Sequence, residues 1–203
     1  MVYKFTKWWY YPLCKLFLRK TYGNENIPKN GRFIVVANHS KLIDPLLIVY
    51  EIIKKINKKV HFIASPKWWP ILGEKICREW AGCIPLFTTR QAYKDAKNVL
   101  KKGEIVGIFP EGHLKSEHRE VKSGAIRLAI ETNTPILPVK VTSNYFPFWS
   151  TVVFGKLIEP ERVKNDYRNP ERLMNEIYNL DLYYKIEKEL IVREEIYRIN
   201  QKV

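Results

Sequence analysis

Short apolar runs alternate with longer amphipathic stretches along most of this chain, and that rhythm predicts strands alternating with helices. Phe33 to Ala37 (FIVVA), Val60 to Ala64, Cys83 to Phe87, Glu104 to Phe109, Ile136 to Thr142 and Val152 to Ile158 read as strands. The apolar stretch after Pro45 (LLIVYEIIKKI), Gln91 to Lys102 and residues 123–132 read as helices, the last ended by Asn133-Thr134-Pro135. Residues 170–200 read as one or two charged amphipathic helices. Phe33 to Ala37 has no polar alternation at all, which marks a strand buried on both faces. The expectation is an α/β fold, a largely parallel sheet flanked by helices. No internal repeat or low-complexity linker interrupts it.

The first 22 residues break the rhythm. Phe5, Trp8, Trp9, Leu13, Leu16 and Phe17 recur at near-helical spacing, and Lys4, Lys7, Lys15, Arg19 and Lys20 join them without one acidic residue. Residues 1–22 are therefore expected to be a basic, aromatic, membrane-associating amphipathic helix, with 23–203 as the main domain and its C-terminal helices. A membrane span is disfavoured, because each mid-segment charge costs roughly 2.5 to 3.5 kcal/mol at the bilayer centre. Lying flat suits the pattern better, since each Lys or Arg gains about 1 kcal/mol beside an anionic leaflet and Trp and Tyr favour the headgroup zone. The competing reading is an aromatic helix packed on the protein's own core.

A chain of 203 residues is long enough for one domain with a real core, and 46% hydrophobic with 28% charged residues excludes global disorder. The charge balance changes the picture more. Thirty-five Lys and Arg against 21 Asp and Glu leave a formal net charge of +14, so the expected partner is anionic: nucleic acid, a lipid surface or a phosphorylated substrate. Cys14, Cys77 and Cys83 are odd in number and form no C-x-x-C pair, which points to a reducing compartment and to no structural zinc. His113 and His118 with Glu111 and Glu117 match no helical zinc spacing, and no metal is expected.

Candidate chemistry gathers directly after the first buried strand, in Asn38-His39-Ser40-Lys41-Leu42-Ile43-Asp44. Such strand-to-helix junctions in open α/β sheets are where ligands bind. On one continuous helix, His39 and Asp44 would point about 140° apart, so the loop must fold back for them to meet. Asp44-Pro45 reads as a helix N-cap followed by proline at the first helical position, leaving His39 free to turn toward the carboxylate. The carboxylate then takes one ring N–H and leaves the other nitrogen as a base. The bland alternative makes Asp44 a cap only and His39 a polar loop residue.

Further motifs decide between these readings. After the N-H-x-x-x-x-D dyad come Gly82-Cys83-Ile84-Pro85 leading to Arg90, then Phe109-Pro110-Glu111-Gly112, then Val121-Lys122-Ser123-Gly124-Ala125, then Thr134-Pro135-Ile136-Leu137-Pro138-Val139. In order and rough spacing this set resembles the glycerolipid acyltransferases, closest to the lysophosphatidic acid acyltransferases (1-acyl-glycerol-3-phosphate acyltransferases, PlsC type). The resemblance covers about residues 20–160. It implies acyl transfer from an acyl-CoA or acyl carrier protein thioester to the free hydroxyl of a lysophospholipid, first of all 1-acyl-glycerol-3-phosphate giving phosphatidic acid. His39 would be the general base oriented by Asp44. Asn38, Lys67, Arg90, Phe109, Pro110, Glu111, Gly112, Lys115 and Lys122 would form the substrate site, with Arg90 and the Phe109 to Gly112 segment holding the acceptor phosphate. No cofactor is implied beyond the thioester co-substrate. The implied setting is peripheral, on the cytoplasmic face of a membrane, with phospholipids of the anionic leaflet and the acyl donor as partners.

One departure from the family pattern bears on the acceptor. Where the family continues with an arginine, this chain reads His113-Leu114-Lys115, and leucine cannot imitate a guanidinium fork on phosphate. A sister acyltransferase acting on glycerol 3-phosphate, another lysolipid or an amino-acid-linked lipid is therefore the first rival. A nucleic-acid-binding module is a rival of another class, but no nucleic-acid motif is present and it leaves the ordered motifs unexplained. A non-catalytic lipid-binding relative is the third. Two aromatic clusters, Trp68-Trp69 and Phe146-Pro147-Phe148-Trp149, read as core, acyl-chain contact or membrane contact.

Overall fold

The computed structural model describes residues 6–68, 73–112 and 121–187. Seven strands form one sheet: β1 (Leu18–Tyr22), β2 (Ile34–Ala37), β3 (Val60–Ala64), β4 (Ile84–Pro85), β5 (Ile105–Ile108), β6 (Ile136–Thr142) and β7 (Ser150–Phe154), in the order β1-β7-β6-β2-β5-β3-β4. Strands β6, β2, β5, β3 and β4 run parallel. Strand β7 is antiparallel to β6, and β1 lies parallel to β7 at the edge. The expected α/β architecture with a largely parallel sheet is what the molecule has.

Helices α1 (Thr6–Phe17), α2 (Asp44–Ile56), α3 (Thr89–Lys101), α4 (Gly124–Thr132), the short α5 (Pro160–Val163) and α6 (Glu171–Tyr178) flank the sheet, and residues 180–187 are helical as well. The unbroken apolar run of β2 has its reason here. Phe33, Val35 and Ala37 enter one core with Tyr10 and Cys14 of α1 and Leu47, Ile48 and Ile52 of α2. Ile34 and Val36 enter the other, with Ala92, Ala96 and Leu100 of α3 and Ala125, Leu128 and Ala129 of α4. A central strand covered on both faces has no solvent side to mark with polar residues.

Several expected boundaries shift. The N-terminal helix does not extend to residue 22: it ends at Phe17, and Leu18–Tyr22 becomes edge strand β1, paired Thr21 to Val152 and Tyr22 to Val153. Helical spacing could not reveal this, because the β7 edge that recruits the segment lies over a hundred residues away. The exposed Arg19 and Lys20 keep that edge polar, a common guard against further pairing. The expected strand Cys83 to Phe87 shrinks to Ile84–Pro85, since Pro85 lacks an amide donor for the ladder. The last strand moves back to Ser150–Phe154, and Ile158 keeps only an isolated bridge to Ile136.

Candidate active site

Strands β6, β2 and β5 are adjacent and parallel, so the segments leaving their carboxyl ends emerge side by side. From β2 comes the His39 loop, from β5 Phe109 to Gly112, and from β6 Ser143. Asn38 anchors the first of these. Its side-chain amide donates to the Val141 carbonyl at 2.9 Å and its oxygen accepts the Val141 amide at 2.8 Å, which extends the β2–β6 ladder by one side chain. Both polar ends of Asn38 are thereby engaged within the protein.

His39 and Asp44 do meet. Nδ1 lies 2.9 Å from Asp44 Oδ2, and the same oxygen accepts the backbone amides of Ser40 at 2.7 Å and Lys41 at 2.8 Å. Asp44 Oδ1 accepts the Ser143 hydroxyl. The expected capping role of Asp44 needs correction. Ile43 occupies the cap position and Asp44 is the first residue of α2, so its carboxylate reaches back into the preceding loop and caps that instead. This is how the five-residue spacing closes: the loop is wound around the carboxylate. Asp44 is 0% exposed whereas the His39 side chain is 16% exposed. A buried carboxylate with four donors is compensated, since hydrogen bonds to charged groups contribute about 1.5 to 3 kcal/mol each. A carboxylate at Nδ1 favours, in a neutral ring, the tautomer with the proton on that nitrogen and the lone pair on Nε2.

Two more contacts hold the ring. The buried Glu111 accepts the His39 backbone amide at 3.0 Å. Phe109 stacks on the imidazole with centroids 4.0 Å apart, and Phe62 of β3 stacks on Phe109 at 4.9 Å. The stack fits only because Gly107 carries no side chain; a Cβ there would fall 2.5 Å from the Phe62 ring. Phe109, Pro110, Glu111 and Gly112 turn tightly, the Gly112 amide donating to Phe109 and the Lys122 amide to Pro110, both at 3.1 Å. Gly112 has φ +69, and a Cβ there would sit 3.4 Å from Lys122 Nζ. The Lys122 ammonium therefore lies over this turn.

Lys67 and Arg90 also follow carboxyl ends of the parallel strands, Lys67 in the 3-10 turn after β3 and Arg90 in the first turn of α3 after β4; both side chains are exposed. Lys115 and Leu114 lie outside the described residues. Among the described residues no group of His, Cys, Asp and Glu could hold a metal ion. The cysteines are not nucleophile candidates: burial pushes the Cys14 thiol up to about 12 and Cys83 up to about 11. Ser143, Phe62 and Gly107 were not singled out in the sequence. None of the three carried a signal: Ser143 is a serine after a strand whose adjacency to β2 only the fold sets, and Phe62 and Gly107 are ordinary strand residues.

A family model described as Acyltransferase matches residues 19–142. A 1-acyl-sn-glycerol-3-phosphate acyltransferase of Borreliella burgdorferi is 32% identical over 135 residues, covering 61% of this chain and 52% of that protein. The protein of the same name from Bacillus subtilis is 29% identical over 127 residues, covering 59% of this chain and 60% of that protein. The chain thus matches little more than half the length of these relatives. The crystal structure of the 1-acyl-sn-glycerophosphate (LPA) acyltransferase, PlsC, from Thermotoga maritima superposes with a TM-score of 0.65 at 25% identity, covering 87% of this chain and 75% of that one. With the match spanning the sheet from β1 to the end of β6, dyad included, this chain belongs to the acyltransferase family.

Proposed function

We propose that this protein transfers an acyl group from a thioester, of CoA or of acyl carrier protein, to the free hydroxyl of a lysophospholipid, with 1-acyl-glycerol-3-phosphate as the acceptor. The observation that carries the reading is the His39–Asp44 pair, with the carboxylate buried, four donors on it, and the imidazole partly exposed. The names of the relatives support the acceptor class.

In this mechanism His39 Nε2 takes the proton from the acceptor hydroxyl as its oxygen attacks the thioester carbonyl. Asp44 stabilises the imidazolium that results. The tetrahedral intermediate collapses with cleavage of the C–S bond, and the imidazolium returns the proton to the departing thiolate. General-base catalysis supplies roughly 10² to 10⁴ in rate, so positioning and stabilisation of the oxyanion supply the remainder. Glu111 acts by fixing the His39 backbone, and Phe109 by fixing the ring plane. Lys122 and Arg90 are the cations assigned to the acceptor phosphate. The protein works at an anionic leaflet as a peripheral enzyme; no described helix is long and apolar enough to cross a membrane.

The test is release of free thiol from acyl-CoA and acyl carrier protein thioesters by the purified chain in mixed micelles, across a panel of acceptors, with His39→Ala beside it. Acylation of lysophosphatidic acid that falls by about two or more orders of magnitude in the variant is the expected result. Turnover confined to acceptors without a phosphomonoester would assign Leu114 a change of substrate. Turnover indifferent to His39 would sink the mechanism.

A further inference from the structure

We propose that Lys41, inside the dyad's own loop, is a further specificity-determining residue: its ammonium, held at the Tyr145 ring, takes the phosphomonoester of the acceptor. The inference rests on the acyltransferase reading for the class of acceptor. It adds a cation that none of the motifs singled out.

The backbone fixes where Lys41 stands. Its amide donates to Asp44 Oδ2 at 2.8 Å, and its carbonyl accepts the Asp44 amide at 3.0 Å. Both its N–H and its C=O are engaged by the residue that holds His39, so Lys41 cannot shift without opening the loop around the carboxylate. Its side chain extends to the loop joining β6 to β7, where Nζ lies 5.2 Å from the centre of the Tyr145 ring.

That ring is braced from the same carboxylate. Ser143, two residues before Tyr145, donates to Asp44 Oδ1, while the Lys41 amide takes Oδ2. The Asn144 amide donates to the Ser150 hydroxyl at 2.9 Å, and the Asn144 side chain accepts the Phe146 amide at 3.2 Å. The Phe148 amide donates to the Leu16 carbonyl at 2.7 Å, which ties the loop to the end of α1. Lysine and ring are therefore two arms from one anchor, Asp44. A long, flexible ammonium side chain gains a fixed place from this arrangement, whereas a lysine on an open surface has none.

What the ammonium lacks is an anion. Lys41 is half-buried, and among the described residues no carboxylate pairs with it. Other lysines are matched: Lys97 with Glu131, Lys140 with Asp181 and Lys156 with Glu187. An aromatic face attracts an ammonium without satisfying its three donors, so these are open to a ligand. The reaction names the ligand. In 1-acyl-glycerol-3-phosphate the free hydroxyl and the phosphate ester stand on adjacent carbons, so a hydroxyl delivered to His39 confines the phosphate to the dyad's surroundings. Lys122 lies over the turn after β5, one strand from β2, and Arg90 follows β4, three strands from β2. Of these three cations, Lys41 is the one on the His39 loop itself.

The test is calorimetric binding of dissolved ligands by the full chain: a short-chain lysophosphatidic acid, the monoacylglycerol of the same chain, and CoA. Lys41→Met keeps the backbone bonds and most of the stem. It should weaken lysophosphatidic acid binding by about tenfold or more, with the other two ligands changed less than about twofold and thermal unfolding unaltered. Lys41→Arg should restore most of the affinity. In turnover of the phosphorylated acceptor, Lys41→Met should raise KM and leave kcat nearly unchanged. Tyr145 acts through Lys41: Tyr145→Leu should weaken lysophosphatidic acid about two- to fivefold, Tyr145→Phe should not, and Tyr145→Leu should add nothing in the Lys41→Met background. Undiminished lysophosphatidic acid binding by Lys41→Met, or none by the wild type, would overturn the proposal. So would an equal loss with monoacylglycerol, which would make Lys41 a support of the loop, or an equal loss with CoA, which would put the ammonium on the donor's phosphates. Binding is read without turnover. A wild type that binds lysophosphatidic acid through Lys41 yet transfers no acyl group would therefore overturn the acyltransferase reading alone, and one that acylates it with Lys41→Met unimpaired would overturn this inference alone.

Discussion

Asp44 shows how much one residue is asked to do. Its carboxylate closes the loop through the Ser40 and Lys41 amides, aligns the imidazole, and is itself held by Ser143. Asp44→Asn retains an acceptor oxygen for the loop amides but removes the charge that stabilises an imidazolium. On the proposed mechanism the variant should fold and lose roughly two or more orders of magnitude in turnover, measured as thiol release. Ser143→Ala should act more mildly, since it removes a single hydrogen bond to a charge and leaves His39 in contact with Asp44. We expect kcat lower by about tenfold with KM little changed, about 1.4 kcal/mol, and recovery in Ser143→Thr. A merely structural role would lower the melting temperature without that division between kcat and KM. The dyad, its loop and Phe109 to Gly112 were legible in the sequence because each is a contiguous run of unusual residues. Ser143 was not, since a serine after a strand is ordinary until the fold places it 99 residues away in sequence yet against Asp44.

At the scale of elements, the Phe62–Phe109–His39 stack joins β3, β5 and the dyad's loop, and it depends on a vacancy in β5. Gly107→Ala should force the Phe62 ring away and tilt the stack, lowering turnover more than stability, with circular dichroism nearly unchanged and the near-ultraviolet aromatic signal altered. Helices α3 and α4 are clipped by Glu131, which accepts Lys97 at 2.9 Å and Arg127 at 2.7 Å. Those two bonds lower its carboxyl from the ordinary 4.5 to about 2. A carboxyl lowered on folding contributes stability above its unfolded value and loses it as the pH falls toward the folded one. Glu131→Gln should therefore reduce the melting temperature slightly at pH 7, and the difference from wild type should shrink below pH 4.5 and close near pH 2. The effect is small because the side chain is partly exposed and screened. Helix and strand types were readable from periodicity in nearly every case. Leu18–Tyr22 is an exception: it carries a helix-compatible pattern that pairing with β7 overrides.

Across the whole molecule, a formal charge of +14 makes a demand of its own. If the protein works at an anionic leaflet as proposed, raising the salt concentration should weaken co-sedimentation with anionic vesicles steeply, because exposed charges are screened beyond about 10 Å at 0.1 M salt. The amino-acid order alone determined the fold class, the positions of most elements, the residues of the dyad and the positive charge. These follow from local patterns: apolar periodicity, turn residues and short runs of reactive side chains are written in neighbouring positions. Tertiary structure alone decided that Leu18–Tyr22 joins the sheet, that Asp44 caps backward, that Gly107 makes room for the aromatic stack, and that the 143–149 loop is tied to the end of α1. Each of these depends on which distant strands become neighbours, and that is set by burial of both sheet faces at once, a property of the assembled core that no short window of sequence contains.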